Sequence, residues 1–133
     1  RTWTEATRTE LPNNNASIQA VKLASGNIAL AFNHLSLNDD PVKTVWSNDR
    51  YPLTIALSED EGRTWPYMRH IDTSDGFFGQ ANKSLNRSLA YPSIMQSRDG
   101  RIHISYSYLD RQCIKYVCVQ EDWIRDSRSR LFN

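Results

Sequence analysis

No apolar run in this chain approaches the roughly 18 residues that a membrane-crossing helix requires, so no membrane span is expected. Charge of one sign is missing too: sixteen basic residues stand against fifteen acidic ones, with no block of either. The diffuse field that gathers nucleic acid or a membrane surface is therefore absent, and any ligand must be chosen locally. Cysteine is scarce. Cys113 and Cys118 are five apart, and on a strand an odd separation sends side chains to opposite faces, so the two are not expected to bond each other and read as buried thiols. His34, His70 and His103 are scattered without zinc-site spacing, and neither a phosphate loop nor a redox motif occurs, so no metal and no cofactor are expected. No signal-peptide pattern opens the chain, but it starts at Arg1 rather than Met, so no compartment is excluded. Asn15-Ala16-Ser17, Asn82-Lys83-Ser84 and Asn86-Arg87-Ser88 fit the glycosylation acceptor pattern, which matters only in a secreted eukaryotic protein.

Helical periodicity is also scarce; what the chain has instead are short stretches rich in Val, Ile, Tyr and Phe between turn signals, the pattern of antiparallel strands. Residues 17–23 run into the turn Ala24-Ser25-Gly26-Asn27, after which Ile28, Leu30 and Phe32 alternate with small or polar partners. A second hairpin runs from Tyr91 through Ile94 to Ser97-Arg98-Asp99-Gly100, and then Ile102, Ile104, Tyr106 and Tyr108 alternate in the same way. Setting Gly26 on Gly100 aligns Ile28 with Ile102, Leu30 with Ile104, Phe32 with Tyr106 and Leu35 with Leu109, an internal repeat with an offset of 74. A third strand follows each hairpin, Leu53-Thr54-Ile55-Ala56-Leu57 and Ile114-Lys115-Tyr116-Val117-Cys118, and the first copy adds a fourth between Trp65 and Ile71. The fold class is thus all-β, built of antiparallel four-stranded blades: a fragment of a β-propeller.

Arg1-Thr2-Trp3 echoes Arg63-Thr64-Trp65, so the chain is expected to start within a blade. The expected layout is an outer strand of a preceding blade over residues 1–10, a complete blade over 11–72, an inter-blade loop over 73–90, the last blade over 91–125 and a polar tail over 126–133. Closing a ring takes at least about four blades, so the remainder of the propeller, or self-association through open blade edges, is the expected protein partner. The long segments 35–50 and 72–89 read as surface excursions, a setting in which function is common.

Between the third and fourth strands, Ser58-Glu59-Asp60-Glu61-Gly62-Arg63-Thr64-Trp65 matches Ser-x-Asp-x-Gly-x-Thr-Trp, the Asp-box. Its chemistry is that of a turn: Asp60 is placed to accept backbone N–H bonds, Gly62 permits positive φ, and Trp65 packs where the next strand begins. Alternating strand directions put the turns at Gly26 and Gly100 and the Asp-box on one face. The opposite face gathers residues 13–17, Ala90-Tyr91 and the connections 33–50 and 109–112, hence both Tyr91 and Arg111, and the ligand site is expected there.

Four stretches, Leu11-Pro12-Asn13-Asn14-Asn15, Arg50-Tyr51-Pro52-Leu53, Ala90-Tyr91-Pro92-Ser93-Ile94 and Arg111-Gln112-Cys113-Ile114-Lys115, with the Asp-box among them, resemble the C-terminal part of the sialidase-like Asp-box proteins over about residues 1–124. That resemblance implies a six-bladed propeller that cleaves terminal sialic acid from a glycan with retention. It also implies a tyrosine nucleophile paired with a glutamate, an aspartate as acid and base, and three arginines on the sugar carboxylate, for which a bidentate guanidinium is suited. Carried over, Tyr91 takes the nucleophile's place at the start of the last inner strand; its bland alternative is a core tyrosine. Arg50, Arg111 and Asn13 become the substrate-binding candidates, the two arginines being otherwise solvated loop cations. The resemblance also breaks: Asn33-His34 stand where a triad arginine is expected, with His34 read as a rim residue and Asp39-Asp40 as a solvated pair. The acid and the glutamate belong to earlier blades, so this chain alone is expected to form an incomplete, inactive site, and another acidic or deoxy sugar joins sialic acid as an expected substrate. A non-catalytic glycan-binding or scaffold propeller is the alternative.

Overall fold

The computed structural model describes residues 2–36, 49–73 and 88–126. Asp39-Asp40 and the acceptor asparagines Asn82 and Asn86 lie outside these residues, as does most of the tail. The described elements are β1 (Gln19–Lys22), β2 (Ile28–Asn33), β3 (Leu53–Ser58), β4 (Tyr67–Asp72), β5 (Ala90–Gln96), β6 (Ile102–Tyr108), β7 (Cys113–Val119) and α1 (Glu121–Arg125). They form an antiparallel sheet of order β1-β2-β3-β4 and a second of order β5-β6-β7.

The repeat is visible in its hydrogen bonds. The Leu23 N–H donates to the Asn27 carbonyl at 2.8 Å and the Gly26 N–H to the Leu23 carbonyl at 2.9 Å. At the same offset, Ser97 donates to the Arg101 carbonyl at 2.9 Å and Gly100 to the Ser97 carbonyl at 3.0 Å. Gly26 and Gly100 hold φ of 91° and 84°, a left-handed conformation that any side chain would resist.

Strand alternation divides the apolar residues between two faces of the first sheet. Ala29, Ala31, Ile55 and Leu57 share one core with Ile94, Ile102, Ile104 and Tyr106, so the two sheets pack against each other. Leu30, Phe32 and Ala56 point the other way and form a second cluster with Trp65 and Leu11. Every residue of β3 is buried, and each buried Leu or Ile contributes about 1.5–3 kcal/mol. Two antiparallel sheets packed in this way are consistent with neighbouring blades of a propeller.

Two local expectations are revised, and one element is added. Residues 2–10 form no strand and Trp3 is 98% exposed, because among the described residues no strand pairs with them. After β7, within the span read as the last blade, the chain turns into α1: Ile124 is fully buried, and α1 lies against β3 and β4. Cys113 and Cys118 are free, as expected, but both are exposed, since β7 is the last strand of its sheet among the described residues and is uncovered along much of its length.

Candidate functional site

β5 starts at the face opposite the Asp-box, and its second residue is Tyr91. The pairing with β6 shifts here: Ala90 faces Ser107 and Ser93 faces Ser105, so Tyr91 and Pro92 together oppose Tyr106. Such a bulge re-aims a side chain. Tyr91 has a φ of 52° and is 55% exposed, so the alternative of a core tyrosine does not describe it.

Two guanidiniums meet its ring. Arg50 precedes β3 and places its Cζ 5.1 Å from the ring centroid. Arg111 comes from the β6–β7 connection, where Leu109, Asp110 and Arg111 take φ of 50°, 51° and 70° and the Gln112 N–H closes the turn onto the Leu109 carbonyl at 3.1 Å. That left-handed turn brings the Arg111 Cζ to 5.4 Å from the same centroid. Hydrogen bonding from Arg50, the charge of Arg50 and then that of Arg111 hold the Tyr91 phenol below its usual range. The arrangement can stabilise a phenolate, or seat an anion beside an aromatic ring.

Buried polar side chains fix the backbone that carries these groups. Arg50 forms an isolated parallel bridge with Ser88, and the Leu89 N–H donates to the Arg50 carbonyl at 2.9 Å. The Asn33 carboxamide donates to the Leu89 carbonyl at 3.0 Å, and the Ser107 hydroxyl to the Ala90 carbonyl at 3.0 Å. Asn14, also buried, donates to the Asp49 carbonyl at 2.8 Å, one residue before Arg50. Nearby, His34 packs on Phe32 and meets His70 edge-on, while the His70 Nδ1 lies 2.8 Å from the Thr54 hydroxyl.

Of the four residues chosen from the sequence, the structure brings Tyr91, Arg50 and Arg111 together. Asn13 behaves differently: its Oδ1 accepts the Asn15 N–H at 2.6 Å, and it is Asn14 that reaches the Arg50 segment. Asn14 and Ser107 carry no candidate role in the sequence and Asn33 enters only as a departure from the arginine pattern, although Asn33 and Ser107 hold equivalent places in the repeat, 74 apart. A concavity of about 450 Å³, lined by Arg101, Cys118, Val119, Gln120 and Trp123, lies at the Asp-box end, away from this convergence.

The Asp-box performs the turn chemistry its spacing implies. Asp60 accepts the Thr64 N–H at 2.8 Å, the Thr64 hydroxyl at 2.7 Å and the Ser58 hydroxyl at 2.8 Å, and Gly62 has a φ of 87°. A family model described as a BNR repeat-like domain matches residues 1–104. The chain belongs to this family. No curated protein and no solved structure matches it significantly. In this BNR repeat-like chain the match covers the complete four-stranded sheet, the Asp-box, Arg50 and Tyr91, while Arg111 follows the matched residues.

Proposed function

We propose that this chain carries the nucleophile and part of the anion-holding apparatus of a sialidase-like glycoside hydrolase, acting on terminal sialic acid or a related acidic sugar of glycans. Domains of this family occur in glycosidases such as sialidases. The observation that carries the reading is the convergence of Arg50 and Arg111 on the exposed, bulged Tyr91. Tyr91 Oη attacks the anomeric carbon while the bond to the departing oxygen breaks, giving a glycosyl–tyrosine that water then cleaves with net retention. Arg50 and Arg111 hold the sugar's carboxylate. The acid that protonates the departing oxygen and the glutamate partner of Tyr91 are assigned to further blades of a six-bladed ring.

Turnover of a fluorogenic sialoside, beside a panel of other acidic and deoxy glycosides, by the propeller that contains this chain tests the proposal. Tyr91→Phe is expected to lower kcat by on the order of a thousand-fold or more; equal activity removes Tyr91 as nucleophile. A glycan-binding propeller without turnover is the second reading, favoured by the 55% exposure of the Tyr91 ring, which leaves surface for a sugar to stack on. It requires that Tyr91→Phe keep full glycan affinity and that no glycoside of the panel be cleaved.

A further inference from the structure

Tyr91 is followed by Pro92, which contributes no N–H, and sits in a left-handed backbone conformation that a non-glycine residue holds only where its surroundings over-determine it. The surroundings here are unusually specific. Leu89 and Ala90 lead into Tyr91, and both their carbonyls are taken by side chains: Leu89 by Asn33, Ala90 by Ser107, each at 3.0 Å. The Leu89 N–H is taken in turn by the Arg50 carbonyl. Asn33 ends β2 of one sheet and Ser107 lies near the end of β6 of the other, so equivalent positions of the repeat grip consecutive peptides from two sides.

We infer that Asn33 and Ser107 are positioning residues for Tyr91, clamping the two peptides ahead of it so that its ring stands between Arg50 and Arg111. The inference rests on the reading of Tyr91 as the reactive group. A carbonyl oxygen only accepts, so the Asn33 amide nitrogen must face Leu89. Its Oδ1 is then buried without a partner on a side chain only 1% exposed. A residue kept for packing alone would be better apolar there, because a buried acceptor left unpaired is costly. Loosening either bond would let the bulge relax and the phenol swing from the guanidiniums. The lowered phenol range is the property such a clamp would maintain.

Titration of the Tyr91 phenol by ultraviolet difference spectroscopy tests this without any substrate, so the outcome is independent of whether a glycoside is cleaved. The Tyr91 component is identified as the one missing from Tyr91→Phe. In Ser107→Ala it is expected to move up toward the ordinary tyrosine range, and in Ser107→Thr, which keeps a hydroxyl, to stay where it is in the parent. Asn33→Ala is expected to shift it in the same direction as Ser107→Ala; should that variant not fold, by circular dichroism, the Ser107 pair decides alone. An unchanged titration in Ser107→Ala, or the same upward shift in Ser107→Thr, overturns the proposal.

Discussion

An anion bound at Tyr91, as proposed, would compete with the phenolate for the same two cations. Arg50 and Arg111 draw the phenol below its ordinary range, so by linkage a carboxylate seated on them must push it back up. Affinity for an acidic sugar should therefore fall as the pH rises through the range in which Tyr91 ionises, at lower pH than for a free tyrosine. Calorimetric titration at several pH values checks this, and in Tyr91→Phe the decline should vanish. His34 and His70 give a second pH dependence. Burial lowers both, and His34 lowers His70 further. The folded state thus binds fewer protons than the unfolded one. Stability is full above about pH 6.5 and should drop as the pH falls below it, read as a lower Tm at about pH 5.5 than at about pH 7.5. Tyr91, Arg50 and Arg111 were legible because the family resemblance proposes them and strand direction puts their segments on one face. Asn13 was chosen in place of Asn14 because neighbouring asparagines in an irregular stretch have no period that says which side chain turns inward.

The Asp-box is the element in which spacing and structure agree most closely. The Thr64 N–H, then its hydroxyl, hold Asp60 down to about 2 against desolvation, with Ser58 and the Arg63 N–H adding to the lowering. Its folded value lies below the ordinary 3.8, so it stabilises the fold above that pH, and this stability is lost as the pH falls toward about 2. Asp60→Ala should remove that acid dependence from a urea-denaturation series while leaving the Tyr91 titration in place, since the two lie at opposite ends of the strands. Trp65 is 5% exposed among Leu30, Phe32 and Ala56, and Trp65→Ala should cost about 3–5 kcal/mol of unfolding free energy. Trp3 shows why a tripeptide echo is a weaker guide than the full motif. It has the same two predecessors as Trp65, but no folded strand pair beneath it, and remains exposed.

Across the whole molecule, polar ties complement the apolar contact between the sheets. Asp72 at the end of β4 is nearly buried and accepts both the Tyr106 hydroxyl at 2.8 Å and the Lys115 ammonium at 2.6 Å. Burial, then the charge of Asp72 and its hydrogen bond, push the Tyr106 phenol up, so it stays a donor. Asp72→Ala takes the carboxylate from the buried Tyr106 hydroxyl and should destabilise the chain by about 1–3 kcal/mol in urea denaturation. At the other end α1, which follows β7 of the second sheet, ties back onto the first. Glu121 accepts from Ser25 and Asn27, Arg125 pairs with Glu59, and Arg69 donates to the Trp123 carbonyl at 2.7 Å. Five residues are too few for a helical period to show, which is why the sequence gives no sign of α1. β7 exposes Ile114 at 71% and Tyr116 at 60% along an edge that no further strand covers among the described residues. The chain is therefore expected to associate as its concentration rises in light scattering, and Ile114→Lys to reduce this.

The assignment of Tyr91 as nucleophile is tested most directly by trapping the covalent intermediate in the complete propeller proposed to contain this chain. A fluorinated sialoside whose glycosyl–enzyme breaks down slowly would be followed by intact mass and peptide mapping. The expected result is one added glycosyl group on the peptide bearing Tyr91, and none in Tyr91→Phe. An adduct on a different residue, or turnover with no adduct at Tyr91, would contradict it.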